Sequence, residues 1–148
     1  MKNHIYYNNM GIAKIIGKND RFVKIQVIDS QMVVVTPHKE LGRLTRPILS
    51  VREANKLITF ITSPFDGLVE ERTWNRRYRD NMEKIKLGDA FETAKVFREL
   101  SFLKNTQDLS FGERKMLDYS KRLLYDELSV VFDNSNRLKV LFQREEMI

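Results

Sequence analysis

The spacing of apolar residues changes at Pro47, and this change constrains the fold more than any other feature of the sequence. Before it, β-branched runs of strand length, GIAKII, FVKIQVID and QMVVVTP, are separated by GKND and DSQ, which are rich in turn-forming residues. Turns this short join neighbouring strands as antiparallel pairs. The sequence from Ile5 to about Arg46 therefore predicts a small antiparallel sheet, curled like a barrel of about five strands.

After Pro47 the apolar residues recur at helical spacing. The segment SVREANKLITFI begins with Ser50 and Glu53 at the spacing of a capping box, and its apolar residues fall on one helical face. The stretch TSPFDG then interrupts the pattern with Pro64 and Gly67 and predicts a linker. We therefore expect a β domain with a trailing helix over residues 1–63 and a helical domain over residues 64–148.

The second half of the chain contains further signals for helix starts. Thr73 can cap a helix from Trp74 to Leu87, which Gly88 can end in the left-handed conformation. Two later starts have capping-box spacing, Asp89 with Glu92 and Ser110 with Glu113. A last short segment, RLKVLFQREEM, is amphipathic. The predicted fold class is α+β, with a small N-terminal antiparallel β domain followed by a C-terminal all-helical bundle.

The composition limits the chemistry that the chain can perform. It contains no cysteine and only two histidines, His4 and His38, so thiolate sites are excluded and we expect no metal and no cofactor. The apolar runs are far shorter than the roughly 20 residues that cross a bilayer. The opening MKNHIYYNNMG lacks the apolar stretch of a signal peptide, and we therefore expect a cytoplasmic protein.

The charge distribution favours a nucleic-acid partner. The net charge is +6, and residues 50–148 are nearly balanced, with 18 Lys or Arg against 17 Asp or Glu. Within that half, the window from Glu71 to Lys86 holds six basic residues and three acidic ones. A local basic surplus therefore lies inside a nearly neutral surface.

The chain's only tryptophan, Trp74, directly precedes this arginine cluster. Its spacing from Tyr78, Met82 and Ile85 places all four on one helical side, which is typical of a core position. A large side chain in the first turn of a helix can also project beyond a bundle. Minor-groove proteins combine such an apolar wedge with Arg contacts to phosphates, so the residue types leave both interpretations open.

Several blocks of the second half resemble one family. TWNRRYRDNMEKIKLGD, FRELSF and LSFGERKMLDYSKRLLYDELS are closely similar, in order and spacing, to the C-terminal domain of the CarD/CdnL bacterial transcription regulators. At the other end, IYYNNMGIAKI is similar to the Tyr-Pro-x-x-Gly opening of the family's Tudor-like domain, with Tyr7 and Gly11 retained. The resemblance covers nearly the whole chain.

This resemblance implies a partner for each half. The N-terminal domain is expected to dock on the lobe of the RNA polymerase β subunit, and the C-terminal domain to meet promoter DNA at the upstream fork. Trp74 would wedge into the minor groove, Arg76 and Arg79 would contact the backbone, and Arg77 lies adjacent. The protein is expected to act as a monomer that stabilises the open complex, with no membrane partner.

The sequence departs from the family pattern where polymerase is expected to bind. Asn8 replaces a proline, and Val35 stands where some members have an arginine. Docking by a strand edge depends chiefly on backbone groups and can survive these changes. The candidate polymerase contacts are the edge near QMVVVTP and the bases that follow it: Val33, Val34, Val35, Lys39, Arg43 and Arg46.

Three other functions are compatible with parts of the sequence. An enzyme could use the charged residues of DYSKRLLYDEL, which are Asp118, Tyr119, Lys121, Asp126 and Glu127, but no second cluster or phosphate loop completes a site. A free-standing, nonspecific nucleic-acid-binding protein would bind duplex DNA by itself. A polymerase adaptor without DNA contact would bury its tryptophan.

Overall fold

The structure is a computed structural model that describes residues 4–67, 69, 71–133, 138–139 and 141–142. It confirms the α+β class, because a five-stranded antiparallel sheet near the N-terminus is followed by a helical region. In chain order the elements are β1 (His4–Tyr7), β2 (Gly11–Lys18), β3 (Phe22–Val27), β4 (Val33–Pro37), α1 (His38–Leu44), β5 (Thr45–Pro47), α2 (Val51–Thr62), α3 (Trp74–Lys86), α4 (Ala90–Thr106) and α5 (Phe111–Val131).

The strands form one antiparallel sheet in the order β4-β3-β2-β1-β5. Short turns join β1, β2, β3 and β4 in succession, as the sequence predicts. Strand β4 lies at an edge of the sheet, as expected for the QMVVVTP segment. The prediction of strand character up to Arg46 is wrong over residues 38–44, where α1 leads from β4 to β5. Pro37 precedes α1 without a side-chain cap, so the local start signal is absent there.

The predicted caps of the longer helices are confirmed. In each cap, a side-chain oxygen accepts a hydrogen bond from a backbone amide of the first turn. Ser50 accepts from Glu53, Thr73 from Arg76, Asp89 from Phe91 and Glu92, and Ser110 from Glu113. Gly88 follows α3 with a φ of 79°, as predicted for its left-handed conformation, and α3 ends at Lys86. The predicted amphipathic segment over residues 137–147 falls largely outside the described residues, although Leu138 and Phe142 are buried.

The main hydrophobic core joins the sheet to the helices. Tyr6 and Ile12 from the sheet belong to the same buried cluster as residues of α2, α4 and α5. Gly11 lies so close to α5 that an added Cβ would approach Leu123 to 2.9 Å, and its φ of 91° also favours glycine. A smaller core of Ala13, Val23, Ile25 and Val27 lies within the sheet. The proposed boundary at residues 63/64 remains a prediction.

The described residues place two limits on chemistry. None of the helices in this part of the chain is both long and apolar enough to cross a membrane. The same residues contain no group of three or more His, Cys, Asp or Glu side chains that could hold a metal ion.

Candidate nucleic-acid interface at the start of helix α3

The indole of Trp74 is exposed at the first residue of α3. Its exposed fraction is 58%, whereas Tyr78 and Met82 are half-buried and Ile85 is fully buried further along the same side of the helix. The apolar side of α3 thus enters the core only after its first turn. The exposure does not support the interpretation of Trp74 as a core residue.

Local contacts hold this helix start in place. Thr73 Oγ1 accepts a hydrogen bond from the Arg76 amide at 3.2 Å, which satisfies one free donor of the first turn. Tyr78 packs closely against Gly112 at the start of α5, where an added Cβ would lie 3.2 Å from the tyrosine ring. A larger residue at position 112 would therefore require the Tyr78 ring to shift by a few tenths of an ångström.

Arg76 and Arg79 are exposed on α3, the helix that starts with Trp74. The Arg76 side chain is 69% exposed, and its Nε lies 3.8 Å from Asp80 Oδ1, a separation too long for a strong charge-assisted hydrogen bond. Arg79 is also exposed. Both guanidinium groups can therefore turn towards an anionic ligand at little cost in lost protein contacts.

Arg77 points into the protein. Its guanidinium donates to both carboxylate oxygens of the buried Glu113, at 2.6 and 2.9 Å, and its side chain is only 11% exposed. The hydrogen bonds to Glu113 raise the pKa of Arg77, while burial opposes this rise. A DNA contact by Arg77 remains a prediction, and it would require this ion pair to break.

Arg72 is paired as well, although the sequence spacing places it with Arg76 and Arg79. Its guanidinium donates to Asp80 at 3.0 Å and to both oxygens of Glu99 at 2.8 Å. Burial alone would lower the pKa of Arg72, but the bonds to these carboxylates raise it above its usual value. Helical spacing fails here because Arg72 precedes the Thr73 cap and lies outside the helix.

Comparison with known proteins identifies the family to which this chain belongs. The family model described as CarD, C-terminal domain, matches residues 57–139, which include all of α3, α4 and α5. The chain belongs to the CarD family.

A relative from Bacillus subtilis (strain 168) supports this assignment. The protein named "Putative transcription factor YdeB" is 30% identical over 115 residues, which span 77% of this chain and 73% of the relative. Membership of the CarD family supports a role in transcription regulation.

Phe111 is a second exposed aromatic residue at the start of a helix, and the sequence interpretation missed it. This residue starts α5, is 67% exposed, and has the ammonium group of Lys115 4.6 Å from its ring centroid. Because Gly112 packs on Tyr78, the starts of α3 and α5 lie side by side. The available signal was an aromatic residue directly after a helix cap, the same arrangement as Thr73 and Trp74.

The candidate polymerase contacts form a second surface of different chemistry. Val33 and Val35 are exposed on β4, and Val34 between them is half-buried. Lys39 and Arg43 are exposed on α1, where Arg43 donates to Glu40 at 2.5 and 2.9 Å. This surface combines an apolar strand edge with nearby bases.

Arg46 differs from these other candidates because its guanidinium is already bound. It donates to both carboxylate oxygens of Glu127, at 2.6 and 2.7 Å. A polymerase contact by Arg46 remains a prediction that would require release of Glu127.

At least two of the five residues considered for catalysis have structural contacts. Glu127 binds Arg46, and the Tyr119 hydroxyl donates to the Asn9 carbonyl. Asp118 is exposed. These described contacts do not assemble a catalytic arrangement on α5.

Proposed function

We propose that this CarD-family protein regulates transcription by binding the β subunit of bacterial RNA polymerase and stabilising the promoter open complex. The sheet docks on the lobe of the β subunit, and Trp74 wedges into the minor groove at the upstream edge of the bubble. The observation that carries the proposal is that Trp74 and Arg76 both have exposed side chains in the first turn of α3.

The chemistry of a wedge favours a DNA fork over intact duplex. Inserting an apolar side chain between base pairs costs a few kcal/mol per step, and the cost is smallest where the bases are already unstacked. A ligand shifts an equilibrium only through its different affinity for the two states. Trp74 therefore stabilises the open complex, because inserting its indole costs less free energy at the fork than in the closed duplex.

The arginines divide into two roles in this proposal. Arg76 and Arg79 contact phosphates, which orient the indole without reading sequence. Arg72 and Arg77 hold the start of α3 through Glu99 and Glu113. Phe111 supplies further exposed aromatic surface at the start of α5.

Docking of the sheet uses the edge strand β4. An edge strand offers backbone groups to a strand of a partner, and exposed side chains of alternate residues provide specificity. Val33 and Val35 are two residues apart and both exposed, so they can meet the same partner surface. Lys39 and Arg43 are candidates for flanking contacts.

Docking also explains how modest DNA contacts can be sufficient. Once the protein is held on polymerase, its DNA-binding surface acts at a high effective concentration, so the free monomer can bind DNA weakly. We place the protein in the cytoplasm, on the nucleoid through polymerase. A free-standing DNA-binding protein would act without polymerase, and tight duplex binding by the isolated chain would favour that alternative.

The lifetime of the polymerase open complex tests the DNA contact. Loss of one base–aromatic stack costs about 1–3 kcal/mol, so Trp74→Ala should remove most of the increase in lifetime while leaving polymerase binding intact. Leu87→Ala is a matched control, because Leu87 is 67% exposed just after the other end of α3. Full activity of Trp74→Ala, or equal losses in both variants, would contradict the proposal.

Binding of the full chain to purified polymerase tests the docking surface. Val35→Glu places a charge on the exposed apolar edge and should weaken binding by at least about tenfold, since burying an unpaired charge is costly. Val51→Glu introduces the same change at an exposed valine on α2 and should bind normally. Normal binding of Val35→Glu would exclude this part of β4 from the interface.

A further inference from the structure

Arg46 lies at a junction of several chain segments. From β5, its Nη1 and Nη2 donate to Glu127 on α5 at 2.7 and 2.6 Å, and its Nε donates to the Gly88 carbonyl at 2.5 Å. The guanidinium carbon lies 3.9 Å from the centroid of the Tyr6 ring on β1. One side chain therefore contacts the sheet, α5 and the turn between α3 and α4.

Glu127 completes this junction from the helical side. Its side chain is 2% exposed, and one of its oxygens also accepts from the Leu49 amide at 2.9 Å, directly before the start of α2. Burial alone would lower the pKa of Arg46, but the bonds and charge of Glu127 raise it. The Arg46 guanidinium therefore remains charged although it is largely buried.

The geometry of this pair restricts the orientation of the segments that it joins. Bidentate charge-assisted hydrogen bonds require one arrangement of donor and acceptor. Buried ion pairs often add little net stability compared with well-packed apolar residues. A role in orientation accounts for a charged pair at this position better than a role in stability does.

Other contacts across the junction impose weaker limits on angle. Arg122 on α5 reaches Asp29 at 3.3 Å, but both side chains are largely exposed, so water and salt screen their interaction. The Tyr119 hydroxyl donates a single bond to the Asn9 carbonyl. The Arg46–Glu127 pair is both more buried and bidentate.

We propose that Arg46 and Glu127 are positioning residues that fix the orientation of the sheet relative to α3. This proposal rests on the function proposed above, because the orientation matters once β4 is docked and Trp74 must reach the fork. The Gly88 contact is central to it, since Gly88 follows directly on the C-cap of the helix that carries Trp74.

Loss of this orientation should reduce activity without removing either binding surface. A docked protein with a loose junction spreads Trp74 over a larger volume, which lowers its effective concentration at the fork. The expected result is an open-complex lifetime reduced on the order of tenfold. In the Glu127→Gln variant, which leaves Arg46 in place, polymerase binding and the affinity of the free chain for fork DNA should both remain normal.

The test uses the double variant Arg46→Met/Glu127→Gln, which removes both charges and keeps an acceptor for Leu49. Because the chain has no cysteine, spin labels can be attached at Asp20→Cys in the turn between β2 and β3 and at Glu83→Cys on α3, both exposed positions, and their distance distribution measured in the free protein. We expect a narrow distribution in the parent and a broad one in the double variant. Glu127→Gln alone is a milder second variant that retains Arg46.

Arg122→Met is the matched control, because it removes an arginine from the same junction where the ion pair is exposed. It should leave both the distance distribution and the open-complex lifetime unchanged. A narrow distribution in both Glu127 variants, each shown to be folded by its unfolding transition, would overturn the proposal. A broad distribution with a normal lifetime would overturn it as well.

The outcome is separable from that of the proposed function. The distance measurement contains no polymerase or DNA, so it reports on the junction whether or not Trp74 contacts promoter DNA. If Trp74→Ala has no effect on lifetime, the proposed function fails, while a broadened distribution in the double variant still shows that the pair sets orientation.

Discussion

The arginines around the start of α3 differ in exposure and in partners, although they occupy one short stretch of sequence. Arg76 and Arg79 are exposed, as Trp74 is. Arg72 and Arg77 are largely buried and donate to both carboxylate oxygens of Glu99 and Glu113 respectively. Burial and partner, more than residue type, therefore determine which members of a basic cluster can bind phosphate.

The two groups contribute to different properties of the protein. A paired arginine already has its donors bound, so moving it leaves a buried carboxylate without its partner. An exposed arginine exchanges water for phosphate and releases counterions when it binds DNA. Changes in the paired group should thus affect stability first, and changes in the exposed group should affect function first.

The largest expected effect is on stability, from Glu113→Ala. Removing this carboxylate leaves the Arg77 charge largely buried and should lower the free energy of unfolding by about 3–5 kcal/mol, measured by denaturant titration. Trp74→Ala should change it by less than about 0.5 kcal/mol, because the indole is exposed. Equal losses would show that the exposed and paired groups do not differ in this way.

A control separates the loss of this pair from the general loss of a helix-start glutamate. Glu92→Ala removes the residue at the same position of α4, where it pairs with the exposed Lys95 at 2.8 Å. That pair should contribute no more than about 1 kcal/mol. A cost for Glu92→Ala as large as that for Glu113→Ala would contradict the importance of the buried pair.

A smaller effect, on salt dependence, is expected from Arg76→Glu. If Arg76 contacts one phosphate, its loss should reduce the slope of log affinity against log salt by about 0.9 for fork DNA in the polymerase complex. Arg52→Glu makes the same charge change at an exposed position on α2 and should leave the slope nearly unchanged. Equal slopes for Arg76→Glu and the parent would remove Arg76 from the DNA contact.

The smallest expected effect concerns pH and comes from a partly buried charge. Burial, followed by the charge of Asp29, raises the pKa of Asp126 from 3.8 to about 6, although Arg122 opposes this rise. The folded protein thus holds this proton to higher pH than the unfolded chain does. The stability that the protonated Asp126 contributes to the folded protein is fully present below about pH 4 and is lost as pH rises through about 6.

Unfolding measured from pH 4 to pH 7 tests this sign. The stability of the parent should fall relative to Asp126→Asn by about 1 kcal/mol over this range, less than the full shift implies because the carboxyl is partly exposed. Parallel curves for the parent and Asp126→Asn would contradict the shift.

Local sequence signals predicted the helix starts well. Ser50, Thr73, Asp89 and Ser110 cap helices because a side-chain oxygen and the free amides of the first turn lie within a few residues of one another. The strands and turns of the sheet were also predicted from short stretches of sequence. The edge position of β4 also followed from the order of the short hairpins.

The features that sequence reasoning missed depend on distant contacts or lack a local signal. Arg77 meets Glu113 across 36 positions, and Arg46 meets Glu127 across 81, so spacing could not distinguish these side chains from exposed ones. Helix α1 is short, has no side-chain cap and has no fully buried residue, which leaves little pattern to detect. Phe111 follows a helix cap as Trp74 does, but the sequence alone does not show that its ring is exposed.

The most direct test of the central claim places a fluorescent base analogue such as 2-aminopurine at the upstream edge of the bubble. Its emission reports stacking at that step. At matched occupancy of polymerase, the parent protein should change the emission, whereas Trp74→Ala should not, because a wedged indole alters the stacking of the adjacent base. An equal change with Trp74→Ala would contradict the claim that this indole contacts the fork.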